Sequence, residues 1–255
     1  MGSISTPRDY SVFNKFNFER KPVGAKFLIV KPEIRRLDKE LNLCEMLREA
    51  QESSPFYAGR EDFQCIEPII LGMEDFEPAL VSGQFAAEED IFKEARAAWK
   101  MYRHLPKMLK DSVRYVALSP IDQLPFDPDV LVITANVSQA QTLLRSIGYS
   151  TGDLWSSRGT PVISCSWIFI YPVVSGEMNF TITGLALGMQ KLDVFPPGLI
   201  LISVPWKLLP TMTENLQEMP WGDIEPPPGG DAHRQYFKRT LGELRQRLEK
   251  QEGKK

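Results

Sequence analysis

Three cysteines have the clearest potential for chemistry in this chain. Cys44, Cys65 and Cys165 are its only cysteines. An odd number at wide spacing fits a reducing compartment better than a disulfide framework. Cysteine thiolates hold iron–sulfur clusters, and a 4Fe-4S cluster with three protein ligands leaves one iron open to bind a substrate oxygen or sulfur as a Lewis acid. The alternative is that each cysteine is a small buried hydrophobic residue. The spacing contains no compact ferredoxin-like run and leaves both readings open.

Two arginines are the candidate catalytic residues beside such a cluster. Arg48 and Arg145 each lie on a predicted helix. A guanidinium group can hold a carboxylate through two parallel hydrogen bonds. We therefore expect these arginines to hold a substrate carboxylate, and the alternative for each is an ion pair on the surface.

The sequence contains few residues that could form other catalytic motifs. His104 and His233 are the only histidines, which disfavours a Cys-His or Ser-His pair and a histidine-rich zinc site. His104 near a helix end is more simply a partner of the helix dipole. The chain contains no C-x-x-C pair, no phosphate-binding G-x-x-x-x-G-K-[ST] loop, and no G-x-G-x-x-G after its first predicted strand.

The composition indicates an ordinary globular protein. Of its 255 residues, 43% are hydrophobic and 25% are charged, and the net charge is -3. This balance excludes a disordered chain and gives no bulk attraction to nucleic acid or anionic lipid. The longest apolar stretch, over residues 161–174, is too short and too interrupted to span a membrane. The first ten residues contain no apolar targeting region, so we expect a cytoplasmic protein without membrane or nucleic-acid partners.

Hydrophobic periodicity and turn residues predict the elements that position the cysteines. Strands are predicted over residues 23–30, 113–118, 130–134, 162–171, 179–183 and 199–204, and helices over 36–51, 87–105, 138–147, 208–219 and 231–250. Asn136 or Ser138 would cap the helix near residue 138. The order predicts an α/β fold, a mixed central sheet with helices on both faces. Cys44 would lie on a helix, Cys65 in a loop and Cys165 in a strand.

The predicted domain organisation is one body followed by a tail. Residues 1–222 form a single α/β domain, the Pro/Gly-rich residues 223–230 form a linker, and residues 231–255 form a charged C-terminal helix. One narrow stripe of that helix is apolar and would dock on the body or on a second chain, as a homo-oligomer or with a partner protein; it carries Phe237, Leu241, Leu244 and Leu248.

The order of features also suggests an internal duplication, with halves at residues 11–110 and 111–222. Each half contains a strand, a helix with Leu-Arg, a loop, a cysteine and the tripeptide Leu-Gly-Met. The Leu-Arg pairs end at Arg48 and Arg145, and the cysteines are Cys65 and Cys165. A true duplication would place these two cysteines at a shared cleft around a pseudo-twofold axis. Chance recurrence of short peptides is the alternative.

A set of ordered motifs resembles domain-of-unknown-function family 169. The motifs are KFNFERKPVGAKFL, CEMLREAQ, FDPDVLVITA, SQAQTLLRSIGYSTG and NFTITGLALGM, and together they extend over most of residues 11–219. The family carries no assigned activity, so the resemblance implies positions rather than a reaction. It implies cysteines at three places that match Cys44, Cys65 and Cys165, which favours a metal or cluster site over random core filling.

Two functions from different classes follow. The first is an oxygen-sensitive 4Fe-4S enzyme of anaerobic metabolism with the three cysteines as ligands. It would act on a small oxygen- or sulfur-bearing substrate in a lyase, desulfurising or reductive step. The second is a non-catalytic binding or accessory module with the cysteines in its core. Its pocket would be bordered by the glycine- and aromatic-rich middle of the chain, including Gly152, Gly159, Gly176, Gly184, Asn179 and Thr183.

Overall fold

A computed structural model describes residues 9–183, 187–221 and 230–252. Contacts divide the chain into two units, one up to Met219 and one from Pro220 onward. The second unit contains the long helix α10 (Asp231–Glu252). The predicted linker over residues 223–230 lies, apart from Gly230, outside the described residues. In the part of the chain that can be described, no helix combines the length and apolarity needed to cross a membrane.

The first unit alternates strands and helices. Its strands are β1 (Val23–Leu28), β2 (Arg35–Arg36), β3 (Phe56–Gly59), β4 (Tyr115–Pro120), β5 (Val130–Ala135), β6 (Asn179–Ile182) and β7 (Ile200–Pro205). Its helices are α1 (Leu43–Glu52), α2 (Glu67–Ile70), α3 (Pro78–Val81), α4 (Gln84–Glu88), α5 (Ala95–His104), α6 (Val137–Gly148), α7 (Tyr171–Ser175), α8 (Leu187–Lys191) and α9 (Leu209–Glu218). A π-helical segment, Ser166–Ile170, runs directly into α7.

All seven strands form one mixed sheet in the order β2-β3-β4-β1-β5-β7-β6. The β2–β3 pair is parallel, and every other pair is antiparallel. Strands β1 and β5 lie next to each other in the middle of the sheet. Both are apolar runs of the core, as predicted from their sequence.

Helices cover both faces of the sheet, as predicted. Alternate residues of a strand point to the same face of a sheet. Val23 and Val132 point to the face that carries the larger core. Helix α1 and a helical run over residues 164–175 fill that core with buried side chains that include Met46, Leu47, Ile168 and Phe169. On the opposite face α6 packs against β5, β7 and α9, and the Asn215 amide donates to the Ser146 carbonyl at 2.7 Å.

Helices α1 and α6 begin with the same type of cap. The Asn42 side chain accepts from the N–H of Glu45, and the Glu45 carboxylate accepts from the N–H of Asn42. Asn136 and Gln139 make the same reciprocal pair at α6, so Asn136 is confirmed as the N-cap. Each cap satisfies backbone donors that a helix start leaves open.

Three predicted elements differ from the structure. The strand predicted over residues 162–171 is wrong, because this segment is helical from residue 164 and contains the π-helical turn. The helix predicted over 36–51 begins only at Leu43, after the short β2. The helix predicted over 87–105 is broken between α4 and α5, where Asp90 takes a positive φ of 54°.

The strand pattern has twofold character. The sheet contains two sets of three adjacent strands, β1-β4-β3 and β5-β7-β6. In each set, the strand that comes first in the sequence pairs with the one that comes third, and the third pairs with the second. A helix with a cysteine near its start precedes the second strand of each set, Cys44 before β3 and Cys165 before β6. Cys65 instead follows β3. Cys65 and Cys165 line the same cavity, and the internal duplication with its match of these two cysteines stays a prediction.

One buried hydroxyl gives a stability prediction. Ser203 of β7 is 1% exposed, and its Oγ has no hydrogen-bond partner in the described structure. Because an unsatisfied buried group costs free energy, we expect Ser203→Ala to keep or raise the free energy of unfolding by about 1 kcal/mol in urea denaturation. Thr134→Val is the control, since the Thr134 hydroxyl accepts from the Gln51 amide at 2.7 Å and its loss should destabilise. A loss above about 1 kcal/mol for Ser203→Ala would contradict this assignment.

Candidate functional site

A cavity of about 290 Å³ brings the three cysteines together. Its lining comes from α1, the turn before α2, the start of the helical run over residues 164–175, and α8 with the residues after it; the side chains and backbone belong to Asn42, Cys44, Gln64, Cys65, Glu67, Ile163, Ser164, Cys165, Gly188, Met189 and Leu192. For comparison, an apolar protein cavity of about 150 Å³ can hold benzene. The cavity is therefore large enough for a group of several heavy atoms.

Each cysteine reaches the cavity from the beginning of a helix. Cys44 is the second residue of α1, whose start is fixed by the Asn42 cap. Cys65 lies two residues before α2. Cys165 lies in the first turn of the helical run that continues into the π-helical segment. The spacing of the three cysteines along the sequence does not show that they lie at one cavity. The fold of the chain around the sheet brings them together.

The three thiols differ in exposure but share an electrostatic environment. Cys65 is exposed, Cys44 is half-buried and Cys165 is buried. Burial raises the pKa of all three thiols, and the negative charge of Glu67 raises each pKa further. Weaker hydrogen bonds from the N–H groups of Ile66 and Ser166 lower the pKa of Cys65 and Cys165. This environment disfavours the thiolate, which is the nucleophilic form of cysteine.

Glu67 is a residue of the cavity that sequence reasoning missed. It is the first residue of α2, is 2% exposed, and accepts from the N–H of Leu43 through Oε1 at 3.0 Å. Its Oε2 is buried without a hydrogen-bond partner. Burial raises the pKa of this carboxyl, and the Leu43 hydrogen bond lowers it by less. A single glutamate before a proline gave no sequence signal, and only its place two residues after Cys65 could have pointed to it.

The backbone beside Cys165 is strained. Ile163 lines the cavity with φ of 57°, a left-handed conformation that a β-branched residue rarely adopts. The π-helical turn begins three residues later. Strained residues and π turns both concentrate at functional sites, where packing holds them against their local preference. Here they set the position from which Cys165 enters the cavity.

The potential metal ligands of the cavity do not form a recognisable single-ion site. Within the described residues, no three His, Cys, Asp or Glu side chains are arranged to hold a metal ion. The three cysteines nevertheless line one cavity. This arrangement does not fit a compact one-ion site.

The predicted arginines lie outside the cavity lining. Arg48, one helical turn after Cys44, donates to the Asp193 carbonyl at 3.3 Å, beside the cavity residue Leu192. Arg145 is half-buried on α6, and it does not line this cavity. The structure therefore brings together the three predicted cysteines but does not bring both arginines to them.

The residues predicted to border one glycine-rich pocket lie at different places in the structure. Gly176 borders a cavity near Trp155, and Gly159 borders another along β6. Asn179 is buried and bonds the backbone of Arg158 and Trp167, while the Thr183 hydroxyl donates to the Pro196 carbonyl at 2.9 Å. Both polar side chains therefore have a structural role. Gly184 lies outside the described residues.

The cap of α1 gives a prediction at the edge of the cavity. Asn42→Ala removes the reciprocal pair with Glu45 and should cost about 1 kcal/mol in free energy of unfolding. The matched control is Asn136→Ala at the equivalent cap of α6, which should cost a similar amount by the same denaturation measurement. Only Asn42→Ala should change alkylation of Cys44, because it loosens the first turn that holds this thiol. Equal alkylation of Cys44 in both variants would contradict this role.

The comparisons with known proteins identify a family. A family model for DUF169, described as an uncharacterised ArCR family, matches residues 13–215. The search of curated proteins and the search of solved structures found no match. The matched range includes every residue of the three-cysteine cavity. Because the match extends over most of the chain, the protein belongs to the DUF169 family.

Proposed function

We propose that this protein is an iron–sulfur enzyme whose 4Fe-4S cluster is held by Cys44, Cys65 and Cys165. The observation that carries the proposal is the convergence of these residues, the chain's only cysteines, on one cavity from three separate segments. A buried cysteine alone would be ordinary core packing. Three around one cavity, with no other cysteine elsewhere, form a typical set of cluster ligands.

The size of the cavity favours a cluster over a single ion. Zinc and similar ions need ligands at about 2.0–2.3 Å around one centre, and the described residues contain no such group. A cluster of four irons and four sulfides is larger, so its ligands stand farther apart. The cavity is correspondingly larger than one ion requires.

The electrostatics of the cavity define what an occupant would have to supply. Burial and the Glu67 charge raise the pKa of all three cysteines and oppose thiolate formation. Bound iron would offset this cost, because thiolates bind metal in their deprotonated form. When bound, the group would supply a Lewis-acidic iron for an oxygen or sulfur atom.

The surroundings suggest a small substrate and a lyase, desulfurising or reductive reaction. Met189 and Leu192 provide apolar contacts in the cavity, while Gln64 and Asn42 provide polar ones. Arg48 near the rim could move from the Asp193 carbonyl to a substrate carboxylate. The geometry supports no catalytic role for Arg145. These features favour a small oxygen- or sulfur-bearing molecule acted on in the cytoplasm.

The alternative function is a non-catalytic small-ligand or accessory module. Cys165 belongs to the main core cluster, and Cys44 packs against it, which is the observation that favours this alternative. In that case the cavity binds an organic ligand and the thiols act as apolar lining.

Anaerobic purification of the full chain separates the two functions. We expect a broad brown absorption with about four irons and four sulfides per chain, the composition that a 4Fe-4S site requires. The spectrum, iron and sulfide should be measured both as purified and after anaerobic reconstitution with iron and sulfide. A folded chain that stays colourless and iron-free in both preparations would overturn the cluster and leave the binding module.

For the second unit we propose contact with a second chain, a homo-oligomer or a partner protein, through α10. Phe237, Leu241, Leu244 and Leu248 follow each other at spacings of four, three and four residues and are 43–56% exposed. This is the spacing of a coiled-coil seam. Sedimentation of the full chain against a chain ending at Met219 tests it. Identical masses for both, at every concentration, would contradict self-association through α10.

A further inference from the structure

We propose that Glu67 is the fourth protein ligand of this site and that its Oε2 gives way to a substrate bringing an anionic oxygen or sulfur. The inference rests on the proposed cluster and deepens it, because it closes the fourth iron in the resting protein. The observation behind it is a carboxylate oxygen that is buried at the cavity and has no partner.

The position of Glu67 is fixed by its surroundings. Its Oε1 accepts from the N–H of Leu43, the residue immediately before Cys44. Its own backbone lies two residues after Cys65, at the start of α2, where Pro68 takes the second helical position. The carboxylate is thus attached to the segments that carry two of the three cysteines. Oε2 is the carboxylate oxygen that has no hydrogen-bond partner.

The environment of Glu67 lacks a compensating charge. Within the described part of the chain it takes part in no ion pair. Glu45, a carboxylate whose charge also acts on it, has the same sign. A buried carboxylate without a cation is costly, and a metal ion is the usual compensation where carboxylate and thiolate donors surround one cavity.

The exchange at this position conserves charge and electrons. The bond between iron and Oε2 would break, and a bond between iron and the anionic oxygen or sulfur of the substrate would form. One anionic ligand would replace another, so no oxidant or reductant takes part, and a thiol that binds as thiolate gives its proton to the solvent. The substrate class is therefore a small carboxylate, alkoxide or thiolate, and a neutral molecule of the same size would compete poorly with Glu67.

The test compares ligand exchange at iron in anaerobically prepared wild-type protein, Glu67→Ala and Glu67→Gln. The control is Glu61→Gln, which removes a carboxylate that lies in the preceding loop and pairs with Arg36 on the surface. Each protein is titrated with the monothiol 2-mercaptoethanol and followed by Mössbauer spectroscopy of the iron not bound by cysteine. Iron and sulfide per chain are measured in parallel.

We expect all four proteins to contain the same iron and sulfide. The thiol should bind Glu67→Ala and Glu67→Gln at concentrations at least tenfold lower than wild type, because it no longer displaces a carboxylate. Glu61→Gln should match wild type. Equal thiol titrations in all four iron-loaded proteins would overturn the Glu67 assignment while leaving the cluster intact. Wild-type protein without iron would overturn the cluster itself and this inference with it.

Discussion

Cys44→Ala should lose most of the bound iron and sulfide while the protein stays folded. Cys44 is only half-buried and lies in the first turn of α1, whose cap is provided by Asn42 and Glu45 rather than by the thiol. Removing the sulfur therefore takes away a ligand at little cost to the helix. With two cysteines left, we expect at least a tenfold loss of iron per chain after anaerobic reconstitution, measured together with far-ultraviolet circular dichroism.

The matched control for this loss is Leu192→Ala. Leu192 lines the same cavity and is 50% exposed, so its truncation enlarges the cavity without removing a donor. Iron content should stay at the wild-type level. If Cys44→Ala binds as much iron as Leu192→Ala, Cys44 is not a ligand. If Cys44→Ala unfolds and no preparation contains iron, the core role of the cysteines is the better description.

Gly72→Ala should destabilise the protein by about 2–5 kcal/mol. Gly72 follows α2 with φ of 73°, and a Cβ there would overlap the backbone carbonyl of Leu109. The two chain segments are held together by hydrogen bonds from Met108 to the Ile70 carbonyl and from Asp111 to the Gly72 carbonyl, both at 2.8 Å. The substitution combines left-handed strain with a backbone clash that no side-chain rotation relieves. Urea denaturation measures the loss.

Gly152→Ala isolates the strain from the clash. Gly152 has nearly the same φ, 70°, but nothing lies within 4 Å of a Cβ built on it. The expected loss is therefore only about 1 kcal/mol. Similar losses for Gly72→Ala and Gly152→Ala would show that the segment after α2 can move away from Leu109.

The sequence predicted the elements with strong local signals. The apolar runs of β1 and β5 are short and are bounded by proline or polar residues, so they identify strands of the core. Asn136 precedes an amphipathic segment and has Gln139 three residues later, which is the sequence pattern of a capping box. In these places local preference and tertiary packing agree.

The prediction failed where packing overrides local preference. Residues 162–171 are apolar on every side, so their periodicity cannot distinguish a buried strand from a buried helix. In the structure this segment is helical. Ile163 takes a left-handed conformation, and a π turn follows it. Prediction of the site from local sequence is limited in the same way. Its cysteines could be proposed from their number and from the family resemblance, whereas Glu67 became visible only through its unpartnered oxygen.

The entry of the three cysteines from separate segments has a mechanical consequence. A group bound to Cys44, Cys65 and Cys165 is a cross-link between α1, the turn before α2 and the helical run over residues 164–175. It closes long loops of the chain, as a disulfide does, and binding to the native state alone adds to its stability. Oxygen that strips the proposed cluster would then lower the melting temperature, and heat resistance would report on the state of the site.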